Sequence, residues 1–99
     1  MQVLWAGPAL RELEESLDYI AREAPEAADR IGHKVHGAVG RLAQFPDLGR
    51  MVPEIEDPSL REIIEPPFRV IYERQDDVIR VLAVLRFERD PDLGEIQGR

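Results

Sequence analysis

Phe68-Arg69-Val70-Ile71-Tyr72-Glu73-Arg74, then Gln75-Asp76-Asp77, then Val78-Ile79-Arg80-Val81-Leu82-Ala83-Val84-Leu85-Arg86-Phe87 is the stretch that decides the fold. Two runs rich in β-branched and aromatic residues flank a short polar break, the pattern of a tight hairpin. Side chains alternate across a strand, so Phe68, Val70 and Tyr72 share one face of the first run, with Arg69, Ile71 and Glu73 on the other. The second run, 78–87, is apolar on both faces, which predicts a central strand. Upstream, 60–64 (Leu60-Arg61-Glu62-Ile63-Ile64) reads as a third strand. The stretch 46–59, punctuated by Pro46, Gly49, Pro53 and Pro58, reads as a loop.

The first half has a different period. Leu10, Leu13, Leu17 and Ile20 recur at three- and four-residue steps and predict an amphipathic helix over 8–22, opened by Pro8. Ala28, Ile31, Val35, Ala38, Val39 and Leu42 make the stripe of a second helix over 25–45, which Pro25 starts and Pro46 stops. Glu26 and Asp29 sit in its first turns, where the helix dipole favours negative charge. Gly32, Gly37 and Gly40 cost helix stability and permit close approach of a neighbouring helix. The short connection at Ala24-Pro25 makes the pair an antiparallel hairpin. Residues 2–6, with Val3 and Trp5 on one face, read as an N-terminal strand. The expected fold is therefore α+β, in the order β-α-α-β-β-β. The helical hairpin buries its stripes on one face of a small, mainly antiparallel sheet. At 99 residues this is one domain, 1–99.

Composition narrows the function. Charged residues make up 33% against 43% apolar, a globular balance, and the formal net charge is -7. Lys34 is the only lysine and no run of basic residues occurs, so general or sequence-specific nucleic-acid binding is not expected. No apolar run reaches a membrane span, and the N-terminus lacks a signal-peptide pattern, so a cytoplasmic location is the default expectation. Without cysteine there is no disulfide framework or thiolate metal site. His33 and His36 have a spacing that permits a shared metal, but no further ligands accompany them; no metal or cofactor is expected.

The order of elements, together with particular residues, resembles the ParE/RelE toxin superfamily. The likeness runs through Trp5, Pro8 and Ala9, Leu13 and Tyr19-Ile20-Ala21, then Pro25 and Ala28, then Leu42, Pro46, Gly49 and Arg50. It continues through Leu60-Arg61-Glu62, Phe68 to Tyr72, Val78 to Val84, and the charged segment from Arg86 to Arg89. No single piece is specific; the combination in this order carries the resemblance. It implies the toxic half of a type II toxin–antitoxin module, often linked to plasmid stabilization. A cognate antitoxin would neutralise the toxin, in a heterotetramer or larger complex.

Two branches of that superfamily make different chemical demands. RelE-like members cut messenger RNA on the ribosome, which requires basic groups and a proton donor or acceptor around the scissile phosphate. ParE-like members poison DNA gyrase and need no catalytic group of their own. Arg61 and Arg69 fall where two basic positions of the RelE pattern lie. Ile63, Phe87 and Leu93 stand where that pattern has another basic residue, an arginine and a tyrosine. The resemblance therefore favours the ParE branch, a gyrase inhibitor without catalytic residues. An mRNA interferase or a non-toxic, degenerate binding module are the alternatives.

The candidates for target or antitoxin binding are Arg61, Arg69, Arg86, Arg89 and Trp5. Each also has a structural reading. Arg61 and Arg69 can pair with Glu62, Glu65 or Glu73; Arg86 and Arg89 can hold the tail through Asp90 or Asp92; Trp5 can pack at the core's edge. Tyr72, beside Phe68 and Val70, is expected in the core.

Overall fold

The computed structural model describes residues 1–87. β1 (Gln2–Trp5) is followed by α1 (Gly7–Ala21) and α2 (Pro25–Arg41), then β2 (Arg50–Met51), β3 (Leu60–Glu65), β4 (Phe68–Gln75) and β5 (Val78–Arg86). The five strands form one sheet in the order β1-β5-β4-β3-β2. β1 runs parallel to β5, and the other pairings are antiparallel. The expected α+β architecture is what the chain adopts.

Both helices carry proline in the first turn, Pro8 as the second residue of α1 and Pro25 as the first of α2, where its missing N–H has no intrahelical partner to lose. Glu26 and Arg41 occupy the first and last turns of α2, the ends that the helix dipole favours for each sign. α2 stops at Arg41 rather than Phe45; turns over 42–44 carry the chain away, with Phe45 N–H bonding to Arg41 O. Of the three α2 glycines only Gly32 meets the other helix: a Cβ there would lie 3.3 Å from Leu17 Cδ1, whereas Gly37 and Gly40 face open space. The close-packing expectation thus holds at Gly32 and is corrected at the other two.

The main core lies between helices and sheet. Leu13, Val35, Val39 and Leu42 pack there against Phe68, Val70, Tyr72, Ile79, Val81 and Val84, with Leu17, Ile20, Ile31 and Trp5 at its margin. A second apolar cluster fills the opposite face: Leu60, Ile71, Leu82, Ala83 and Leu85 lie under Val52 and Ile55. The 46–59 stretch is therefore more than a connection. It contributes the two-residue edge strand β2 and then a strap that covers part of the sheet. The apolar content of β5 on both faces has a further cause. Ile71 pairs with Ala83 but Tyr72 with Val81, so Leu82 is a bulged extra residue, and Leu82 and Ala83 both join the second cluster. The β4–β5 turn is Asp76-Asp77, with Asp76 at φ 54, a conformation Asp tolerates better than most residues.

Candidate functional site

The sheet carries its charge on the strap side. Glu62 faces Ile71 in register, on the face away from the helices, and its side chain is fully buried. Arg69, 5% exposed, lies beside it. Arg69 Nε donates to Glu62 Oε1 at 2.8 Å, and Nη2 approaches the same oxygen at 2.7 Å. Its Nη1 and Nη2 also donate to the two carboxylate oxygens of Glu54, at 2.7 and 2.8 Å. Arg50 Nε, from β2, donates to the other Glu62 oxygen at 2.8 Å. Two arginines and two carboxylates thus close a network that fastens the strap through Glu54 and the edge strand through Arg50. The hydrogen bonds to Glu54, backed by Glu62, hold the Arg69 guanidinium above its ordinary value, against the opposing effect of burial.

Arg61 points the other way. It pairs in register with Tyr72 on the helix-facing side, so the two arginines that share the family pattern are separated by the thickness of the sheet. Arg61 Nη1 donates to Gly49 O at 2.7 Å, and Nε lies 3.7 Å from Asp47. The buried Tyr72 hydroxyl accepts from Gly49 N–H at 2.9 Å and donates to Pro46 O at 2.8 Å. Burial pushes its pKa up, with the Gly49 N–H acting in the opposite direction. Gly49 has to be glycine here, since a Cβ would sit 2.6 Å from Glu62 O and 2.8 Å from Tyr72 Cε1. Arg61 and Tyr72 together lock the 46–49 turn onto the sheet.

Trp5 is half-buried at the margin of the main core, its ring 5.3 Å from that of His36 on α2. Arg86 is half-buried at the end of β5, opposite Phe68. Arg89 lies outside the described residues, as do Leu93 and the tail carboxylates Asp90 and Asp92. Among the described residues, the arginine candidates Arg61, Arg69 and Arg86 are not gathered into one site. The structure presents instead a groove of about 620 Å³ between the two helices, lined by Leu17, Asp18, Ala28, Gly32, His36 and Gly37 among others.

A model of the ParE toxin of the type II toxin–antitoxin system parDE matches residues 3–91. The chain belongs to this ParE toxin family. Among its relatives, Toxin RelE2 of Caulobacter vibrioides is 31% identical over 84 residues, covering 84% of this chain and 91% of the relative. The putative toxin Y4kP of Sinorhizobium fredii is 39% identical over 49 residues, about half of each chain (50% and 51%). A solved chain described as "Chromosomal ParDE TA system from P. aeruginosa" superposes with a TM-score of 0.74 at 24% identity, covering 89% of this chain and 97% of that one, a likeness of fold. The ParE/RelE superfamily expected from the sequence is thus the family found.

One feature of this ParE-family toxin is not visible in chain order. Arg30, Lys34 and Arg41 are far apart in the sequence, yet at 3.6 residues per turn they fall within about 40° of one another on α2. All three are exposed and none forms an ion pair among the described residues. The expectation that basic residues do not cluster holds for the linear sequence and fails on the helix surface.

Proposed function

We propose that the chain is a toxin that poisons DNA gyrase by protein–protein contact in the cytoplasm and is silenced by a cognate antitoxin. The observation that carries this reading is the condition of Arg69. An RNA-cleaving centre needs cations whose N–H groups are available to a phosphate. Arg69 instead spends its donors on Glu62 and Glu54. Its family-pattern companion Arg61 lies on the other face, engaged by the Gly49 carbonyl. Ile63 and Phe87 supply no charge where the RelE pattern has it. A buried, internally bonded Tyr72 is no readier as a proton shuttle.

The antitoxin reading rests on the family and on the hairpin groove, whose floor is apolar and widened by Gly32 and Gly37. An amphipathic helix laid in that groove is a recurring recognition mode. A ribosome-dependent mRNA interferase is the competing reading, favoured by the name of the Caulobacter relative.

Controlled expression without the antitoxin separates them. Gyrase poisoning predicts filamentous cells and induction of the DNA-damage response while protein synthesis continues. Immediate translation arrest with cut transcripts would reject the proposal in favour of the interferase. Normal growth with the folded protein present would mark a non-toxic binding module.

A further inference from the structure

The stretch 30–46 holds none of the chain's 20 acidic residues, although the protein carries a net charge of -7. It does hold Arg30, Lys34 and Arg41, the three cations aligned on α2. They span about 16 Å at 1.5 Å per residue. Glu26 and Asp29 precede the stretch, and Asp47, just after it, is engaged by Arg61 and Arg74. Charges act over about 8 Å at physiological salt, so the local surface decides what approaches this flank, not the net charge.

The residues between the cations narrow the partner's chemistry. At 3.6 residues per turn, Arg30, His33, Lys34, Gly37, Gly40 and Arg41 share about one third of the helix circumference. All six are exposed. A Cβ at Gly37 or Gly40 would meet nothing within 4 Å, so packing within the chain does not require either glycine. Glycine weakens a helix interior relative to alanine, and what it offers in return is close approach of another molecule to the backbone.

This face also lacks apolar anchors. The exposed large apolar side chains nearest to it in sequence are Tyr19 and Phe45, both outside α2. Protein interfaces are held by aromatic or aliphatic side chains in a desolvated centre. A surface of cations and glycine has none to offer, and a phosphodiester backbone needs none. Duplex DNA presents one negative charge per about 1.7 Å of its axis. Its major groove, about 12 Å wide, is bordered by phosphates that the two ends of such a ridge can reach together.

We infer that this face of α2 lies against the phosphate backbone of the duplex DNA held by gyrase, with Arg30, Lys34 and Arg41 each neutralising a phosphate and Gly37 and Gly40 letting the helix come close. The inference rests on the gyrase reading above and adds a second component, DNA, to the surface the toxin grips. Phosphate contacts fix position without reading bases, so the toxin gains no sequence preference from them.

The test compares the full wild-type chain, fluorescently labelled, with a triple variant carrying Arg30→Gln, Lys34→Gln and Arg41→Gln. Glutamine keeps helix propensity while removing charge, and circular dichroism should show an unchanged fold. Anisotropy measures binding to purified gyrase with and without a bound DNA duplex. At low salt the wild type should bind gyrase–DNA about tenfold more tightly than gyrase alone. The variant should match the wild type on gyrase alone and lose the gain from DNA. Raising salt from about 50 to about 200 mM should cost the wild type about fortyfold more affinity for gyrase–DNA than it costs the variant, the slope expected for three phosphate contacts. An equal gain from DNA in both proteins would overturn the inference and leave the gyrase reading standing. A variant weakened on gyrase alone would also overturn it, by assigning the ridge to a protein contact. So would a variant impaired only in binding the antitoxin, which would assign the ridge to that partner. A wild type that binds neither form of gyrase would reject the gyrase reading and this inference with it.

Discussion

Replacing Arg69 with methionine tests whether this arginine is a clasp rather than a contact residue. Methionine keeps most of the side-chain volume but removes every donor. Glu62, with a fully buried side chain, would then keep only Arg50, and Glu54 would lose its anchor to the sheet. Breaking a buried ion pair from one side costs about 3–5 kcal/mol. The remaining bond from Arg50 and the partial exposure of Glu54 place the expected loss at the lower end, about 3 kcal/mol. For a domain near 100 residues that corresponds to a fall in Tm of roughly 12–24 °C. Adding Glu62→Leu to Arg69→Met removes the stranded carboxylate, and replacing both partners with apolar groups is often close to neutral. The double variant should therefore recover most of the loss. Urea unfolding followed by Trp5 fluorescence and circular dichroism measures all corners of the cycle. A loss below about 1 kcal/mol for Arg69→Met, the range of an exposed pair, would refute the clasp. So would a double variant no more stable than the single one.

Other residues give sharper local tests. Gly49→Ala forces a Cβ against the Glu62 carbonyl and the Tyr72 ring, and unfolding curves should show a loss of about 1–3 kcal/mol. Tyr72 has a folded pKa raised by burial, so its contribution to stability is complete below the unfolded value of about 10 and is lost as pH rises through the higher folded value. Stability measured from pH 8 to 11 should fall at the alkaline end, and Tyr72→Phe should flatten that fall while lowering stability at pH 8 by about 1–2 kcal/mol. Gly40→Ala places a methyl in open space on a helix and should stabilise by up to about 1 kcal/mol, visible as a higher Tm.

The fold was legible where periodicity is long. Alternation over 68–74 placed Phe68, Val70 and Tyr72 inward, and the stripes from Leu13 to Ile20 and from Ala28 to Leu42 placed the hairpin on that face. β2 was not legible, because two residues, Arg50 and Met51, show no alternation. The strap over the second face rests on Val52 and Ile55, two apolar residues scattered among prolines and carboxylates. At the candidate site, Glu62 was a foreseeable partner of Arg69. Glu54, fifteen residues away across a loop, was not, and neither was the engagement of Arg61 by Gly49. Those pairings come from how the strap folds back, which no short-range spacing encodes. The basic flank of α2 was recoverable from helix geometry, but only by counting charges at the helical period. No helix among the described residues is long and apolar enough to cross a membrane.

We propose that this ParE-family chain acts on gyrase through a surface and not on RNA through a catalytic centre. The direct measurement is purified gyrase with supercoiled plasmid and ATP, titrated with the full chain and quenched with detergent. Accumulation of protein-linked linear DNA, abolished by adding the antitoxin, is the predicted result. Unchanged plasmid beside programmed ribosomes whose messenger is cut by the same preparation would contradict it.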